Sequence, residues 1–205
     1  MSLPEQMTDR WARRADPAPG QRTLYWHVLM RDYPPVGELA SQARQLLAPF
    51  TGLHMTPPEW PHMTTHVAGS ADQFSDQQMQ HMTAVASDYL AGVPPITVSL
   101  SKILYHPEAI MLAVTPVGDL TPIRAAALAA TNAVVSSAND EESAWTPHVT
   151  LCYSTAQPII AALAKQLPAR QIDIDAVSLV IQDGPERAWN WTTVGIIGLH
   201  ATALA

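Results

Sequence analysis

Five of the eight histidines are followed two residues later by threonine: His54, His62, His81, His148 and His200. The bare spacing therefore discriminates little. His62 and His148 stand apart because each follows a proline, in Trp60-Pro61-His62-Met63-Thr64 and Thr146-Pro147-His148-Val149-Thr150, and each opens a strand-like run. In a strand, residues i and i+2 share a face, so His62 projects with Thr64 and His148 with Thr150. An imidazole takes or gives a proton near neutral pH, and a nearby hydroxyl can donate to an oxyanion as charge builds. Brought together, two imidazoles and two hydroxyls suit phosphodiester cleavage without a metal. One neutral histidine would take a proton from water or a ribose hydroxyl, and a protonated one would deliver a proton to the leaving alkoxide.

Elements able to position these residues are legible along the chain. Residues 1–21 are polar, proline-bearing and locally basic (Arg10, Arg13, Arg14), which predicts an arm or short capping segment, solvated in the main. Leu24, Trp26 and Val28 alternate with Tyr25, His27 and Leu29, a first strand. After Pro34-Pro35, apolar residues recur at helical spacing up to Leu47, and the run stops at Pro49. A proline-rich loop leads into a strand at His62–Ala68. Ser75 and Gln78 form a capping-box pattern for a helix over Asp76–Leu90, and Ile96–Leu100 alternates as a third strand. The order then repeats: strand Ala109–Thr115, helix Ile123–Val135, strand His148–Tyr153, helix Pro158–Leu167, strand Ile172–Ile181, with a final strand Trp191–Leu199.

The two halves, about 22–104 and 109–200, register on one another. Leu24 falls on Ile110, Val28 on Val114, Pro61 on Pro147, His62 on His148 and Thr64 on Thr150. Neither half carries enough apolar area to stand alone, so residues 22–205 are expected to form one α+β domain of two lobes around a central cleft. The paired motifs resemble those of the two-histidine (2H) phosphoesterases, which include the 2′-5′ RNA ligase-like proteins. That resemblance implies a duplicated domain with two antiparallel-sheet lobes and outer helices. It also implies hydrolysis of 2′,3′-cyclic phosphates or related small nucleotide phosphodiesters, with His62 and His148 as the acid–base pair and Thr64 and Thr150 on the phosphate. RNA 2′-5′ ligation is a variant of the same site, and a non-catalytic nucleotide- or protein-binding member of the fold is the alternative. Thr65 departs from the family pattern, which has an aliphatic residue there, and so does His66.

Further expectations follow from strand alternation and from residue type. His66 falls on the face of His62 and Thr64, a third imidazole able to touch substrate. Cys152 falls on the face of His148 and Thr150, where a packed thiol is expected rather than a nucleophile. Met63, Val67, Val149, Leu151 and Tyr153 take the opposite faces. Trp60 and Trp145, on the loops entering the two motifs, are candidates to stack a nucleobase, as are Tyr25 and Tyr153. His54, His62 and His66 offer three imidazoles for a metal. The zinc-protease pattern, however, needs a glutamate where Met63 stands, so neither metal nor cofactor is expected.

Composition bounds the remaining classes. The chain has 205 residues, 47% hydrophobic and 14% charged, which is enough apolar material for a packed core. Its formal charge of −7 argues against duplex DNA and anionic membranes and leaves a small nucleotide or an RNA end as partner. A single cysteine permits no internal disulfide and fits a cytoplasmic protein. No signal peptide or membrane span is read from the sequence.

Overall fold

A computed structural model describes residues 6–12, 14, 17–135, 145–156 and 167–201. Its strands are β1 (Arg22–Leu29), β2 (Leu53–Met55), β3 (His62–Ser70), β4 (Ala91–Gly92), β5 (Ile96–His106), β6 (Ala109–Thr115), β7 (His148–Ser154), β8 (Arg170–Ile174), β9 (Ala176–Asp183), β10 (Trp191–Gly198) and β11 (His200–Ala201). Three helices are described, α1 (Pro34–Leu47), α2 (Asp76–Leu90) and α3 (Thr121–Asn132). The helix expected over Pro158–Leu167 falls almost wholly outside the described residues.

Two antiparallel sheets form the lobes, ordered β10-β9-β1-β3 and β2-β7-β6-β5-β8. Each sheet draws strands from both halves of the sequence. The single strand expected over 172–181 is two strands, because the chain leaves the second sheet after Ile174 and enters the first at Ala176. Asp175 pins this crossing: its carboxylate accepts from Tyr33 Oη at 2.6 Å, and its carbonyl accepts the Leu199 N–H at 2.6 Å.

The helices begin and pack as their sequences dictate. α1 opens on Pro34-Pro35 and buries Val36, Leu39, Ala43 and Leu47, one residue per turn. At α2, Ser75 and Gln78 complete the capping box. α3 is alanine-rich on its buried face (Ala126, Ala127, Ala130), which lets it lie close to α2 and β3. There the Trp26 indole N–H donates to Thr131 Oγ1 at 3.2 Å, satisfying a polar atom that burial would otherwise strand. Leu24, Trp26 and Val28 are fully buried beneath these helices. Among the described residues, no helix is long and apolar enough to cross a membrane.

Residues 6–12 of the N-terminal arm do not form a solvated tail. Met7 is fully buried, the Thr8 N–H donates to the Pro107 carbonyl at 2.7 Å, and the Arg10 N–H donates to the Ser154 carbonyl at 2.9 Å. Burial of one methionine and two backbone bonds to the second sheet outweigh the polar composition of the segment.

Candidate functional site

β3 and β7 approach one another between the lobes, and each begins with its motif histidine. The two imidazoles are held alike. His62 Nδ1 lies 2.9 Å from the Trp60 carbonyl, and His148 Nδ1 lies 2.7 Å from the Thr146 carbonyl. A carbonyl only accepts, so Nδ1 carries the hydrogen in both rings and Nε2 is the nitrogen left for acid–base work. The proline after each carbonyl residue holds the backbone extended, which sets this two-residue reach. Trp145 ties the motifs together, its indole N–H donating to the Thr64 carbonyl at 3.1 Å across the lobes.

The strand pairings repeat as well, two residues away from the register expected for the first strand of each half. Leu29 pairs with His62, and Ala113 with His148; the Met30 and Val114 N–H groups donate to the Pro61 and Pro147 carbonyls. A shift of two residues keeps every side chain on its expected face.

Both strands then carry a bulge at the same place. β1 pairs His27 with Thr64 and Trp26 with His66, passing over Thr65; β6 pairs Met111 with Thr150 and Ile110 with Cys152, passing over Leu151. An extra residue reverses the alternation beyond it. His66 consequently pairs with Trp26, a core residue, and does not share the face of His62 and Thr64. Cys152 lies in the core, fully buried, its thiol pKa pushed up to about 12 by desolvation, and is not on the face of His148. Val67 moves to the cleft side opposite Tyr25 and is 51% exposed, and Tyr153 moves to the cleft side opposite Ala109. Thr65, the polar departure from the family pattern, donates to the Trp26 carbonyl at 3.0 Å and is thereby satisfied inside the bulge.

Around His62 the site is aromatic. Trp191 stands edge-on to it at 4.8 Å and to Trp60 at 4.5 Å, and Trp189 lies 6.4 Å from it and stacks on Tyr153 at 5.8 Å. Of the expected stacking residues, Trp60 and Tyr153 join this wall. Tyr25 stacks on His27 at 5.0 Å, and Trp145 makes the link between lobes already described. Trp189, in the turn before β10, and Trp191, the first residue of β10, carry no local signal of the site because both are remote in sequence from the two motifs. His27 escaped the sequence reading, although its alternation with Leu24 and Trp26 already set it on the face opposite the core. It is 1% exposed, its ring is 4.3 Å from that of His62, and its Nδ1 has no hydrogen-bond partner.

Electrostatics follow from this enclosure. Burial lowers the His62 pKa, aided by the charge of His148 and opposed by the Trp60 carbonyl and the charge of Glu186. Burial and then the charge of His62 place the His27 pKa well below the usual histidine value, so that ring is neutral at pH 7. Thr64 is half-buried and Thr150 is 6% exposed. Tyr153 Oη donates to Glu186 Oε1 at 2.6 Å, and Glu186 is held in turn by Arg10 through Nε at 3.0 Å and Nη2 at 2.8 Å. Arg14 is paired with Glu108 at 2.9 Å, so neither arginine is spare for a nucleic-acid backbone; Arg13 lies outside the described residues. His54 sits under Trp189 Nε1 at 3.1 Å, and the three-imidazole grouping with His62 and His66 does not form. Among the described residues, no group of three or more His, Cys, Asp or Glu could hold a metal ion.

Two antiparallel lobes with outer helices, and one histidine–threonine motif from each, define the two-histidine phosphoesterase fold. The model of the 2′-5′ RNA ligase superfamily matches residues 32–186, and the chain belongs to that superfamily. Similar solved structures include TT0787 of Thermus thermophilus, with a TM-score of 0.67 and 16% identity over 88% of this chain and 100% of that one. E. coli LigT complexed with 3′-AMP matches with a TM-score of 0.65 and 13% identity, over 88% and 98%. The PDE domain of MHV ns2 gives 0.50 and 12%, over 74% and 98%. Among curated proteins none matches.

Proposed function

We propose that the protein is a phosphodiesterase that opens 2′,3′-cyclic phosphates of small nucleotides or RNA ends, using His62 and His148 as its acid–base pair and needing no metal or other cofactor. The observation that carries this reading is the matched pair of imidazoles, each fixed through Nδ1 to the carbonyl two residues earlier, leaving Nε2 for chemistry on both sides of the cleft. His62, kept neutral by burial, suits the base: Nε2 takes a proton from water as its oxygen attacks phosphorus. The bond from phosphorus to the 2′ or 3′ oxygen breaks, and protonated His148 gives that oxygen its proton. Thr64 and Thr150 are the donors for the non-bridging oxygens.

The superfamily, and the 3′-AMP held by LigT, support a small nucleotide as the class of ligand. Trp60, Trp189, Trp191 and Tyr153 offer ring faces and edges for a base. Acidic charge and the absence of a cysteine pair accord with a cytoplasmic enzyme that does not track a long backbone.

Turnover of the four 2′,3′-cyclic nucleoside monophosphates in excess EDTA, beside His62→Ala and His148→Ala, tests the reading. Activity that survives chelation and collapses in both variants is expected, with the 2′- or 3′-phosphate product identifying the leaving oxygen. Binding without turnover would instead make the chain a nucleotide-binding member of the fold, and activity indifferent to both substitutions would place the chemistry elsewhere.

A further inference from the structure

The N-terminal arm crosses one side of the site and links the two lobes there. Arg10 grips Glu186, in the turn between β9 and β10, through two nitrogens, and reaches Glu108, in the turn between β5 and β6, at 3.4 Å. Arg14 donates to the same Glu108 oxygen, Oε2, at 2.9 Å. The Arg10 guanidinium also lies 4.2 Å over the Tyr153 ring. Its side chain is only 14% exposed, so water and salt screen these pairs less than surface ones. Trp11 adds packing, edge-on to His54 at 5.4 Å and to Tyr153 at 5.6 Å, with the Arg187 guanidinium 5.7 Å from its ring.

What the strap holds is the turn over 186–190 that leads into β10. Trp189 within it has φ 50° and ψ 46°, the left-handed region, which is costly for a bulky side chain and persists only where its surroundings over-determine it. Here they do: Trp189 is 5% exposed, with its indole nitrogen on His54 and its face on Tyr153. That side of the cleft thus presents a braced indole, two carboxylates already engaged by arginines, and a chain segment hydrogen-bonded to the second sheet.

We propose that this strap makes the site selective for terminal phosphodiesters: it admits a cyclic phosphate with chain on one side only and excludes a linear internode, which must continue past the phosphorus in both directions. The inference rests on the phosphodiesterase reading and narrows its substrate class. Exclusion works by obstruction, so it is a specificity device rather than a source of affinity.

The test compares cytidine and adenosine 2′,3′-cyclic monophosphate with a linear 2′-5′-linked triadenylate, in wild type, in Arg10→Gln with Trp11→Ala, and in Glu186→Gln. The last variant cuts the same link from the other side while keeping an acceptor for Tyr153. Wild type should favour the cyclic substrates in kcat/KM by at least about fiftyfold, and both variants should narrow that ratio by about tenfold, largely through KM on the linear substrate. Equal preference in wild type, or an unchanged ratio in variants that keep the wild-type circular dichroism spectrum, would overturn the strap. Dissociation constants for adenosine 3′-monophosphate and for a triadenylate analogue with non-hydrolysable methylenephosphonate links separate the two ideas. If nothing is turned over but the variants lose a binding preference for the mononucleotide, hydrolysis fails and the strap stands; no preference in binding or turnover overturns it.

Discussion

The two lobes present the same motif in unequal surroundings. His62 and His148 are anchored by the same bond, their strands bulge at the same residue, and their threonines follow at the same distance. Opposite Thr64, however, stands His27, and opposite Thr150 stands Met111; beyond the bulge, Val67 in one lobe answers to Tyr153 in the other. The first lobe packs a second imidazole and two indoles against its motif histidine, and the second lobe sends its phenol to Glu186. Duplication supplies the geometry, and divergence around it sets the two imidazoles in different surroundings, with burial depressing the pKa of His62.

Breaking the pair should give the largest effect. His62→Ala and His148→Ala are each expected to lower kcat on a cyclic nucleotide by about 10³-fold, since a placed acid or base contributes ~10²–10⁴. The double variant should be little worse than either single one, because the two act as a unit. Next come the hydroxyls. Thr64→Val and Thr150→Val should each cost about 10–100-fold in kcat with KM changed far less, as expected of donors that act most strongly in the transition state. Steady-state kinetics on the same substrate check both.

A smaller effect sharpens the contrast beneath the histidines. His27→Met copies the second lobe into the first and removes the unpartnered Nδ1. The sign of its pH dependence is fixed. The folded protein depresses the His27 pKa below the ordinary histidine value of 6.5, so near and below that pH the unfolded chain binds more protons, and wild-type stability falls as pH drops. Thermal melts of His27→Met should therefore fall less steeply than wild type between pH 7 and pH 5. At pH 8 the two should differ by no more than about 2–4 °C. Parallel curves would mean that His27 is not held neutral by the fold.

Most of this framework is written locally in the chain. Helix starts at Pro34 and Ser75, the alternation of β1 and the proline before each histidine all act within a few residues, and the elements and the motif pair follow from them. What stayed hidden depends on partners far away in sequence. A bulge is a property of two paired strands, so alternation alone put His66 and Cys152 on the cleft face and Val67 and Tyr153 away from it. Asp175 splits one apolar run into two strands because Tyr33 and Leu199 meet it there. Arg10 reads as a solvated cation until Glu186, 176 residues on, is beside it.

The bulges offer the finest distinction between the lobes. Both interrupt a ladder, and each must satisfy the carbonyls that the extra residue displaces. The second lobe does so with Thr56, whose hydroxyl donates to the Thr150 carbonyl and whose N–H donates to the Leu151 carbonyl, both at 3.0 Å, so Leu151 itself can be aliphatic. In the first lobe Thr65 takes the role with its own hydroxyl, donating to the Trp26 carbonyl. Thr65→Leu, the second lobe's residue, should accordingly destabilise the fold by about 1 kcal/mol, because it removes a buried hydrogen bond. Thr65→Ser keeps the donor and should recover part of that loss, less the buried methyl. Urea unfolding of the two variants measures the difference, and equal midpoints would mean that Thr65 contributes volume and not a hydrogen bond.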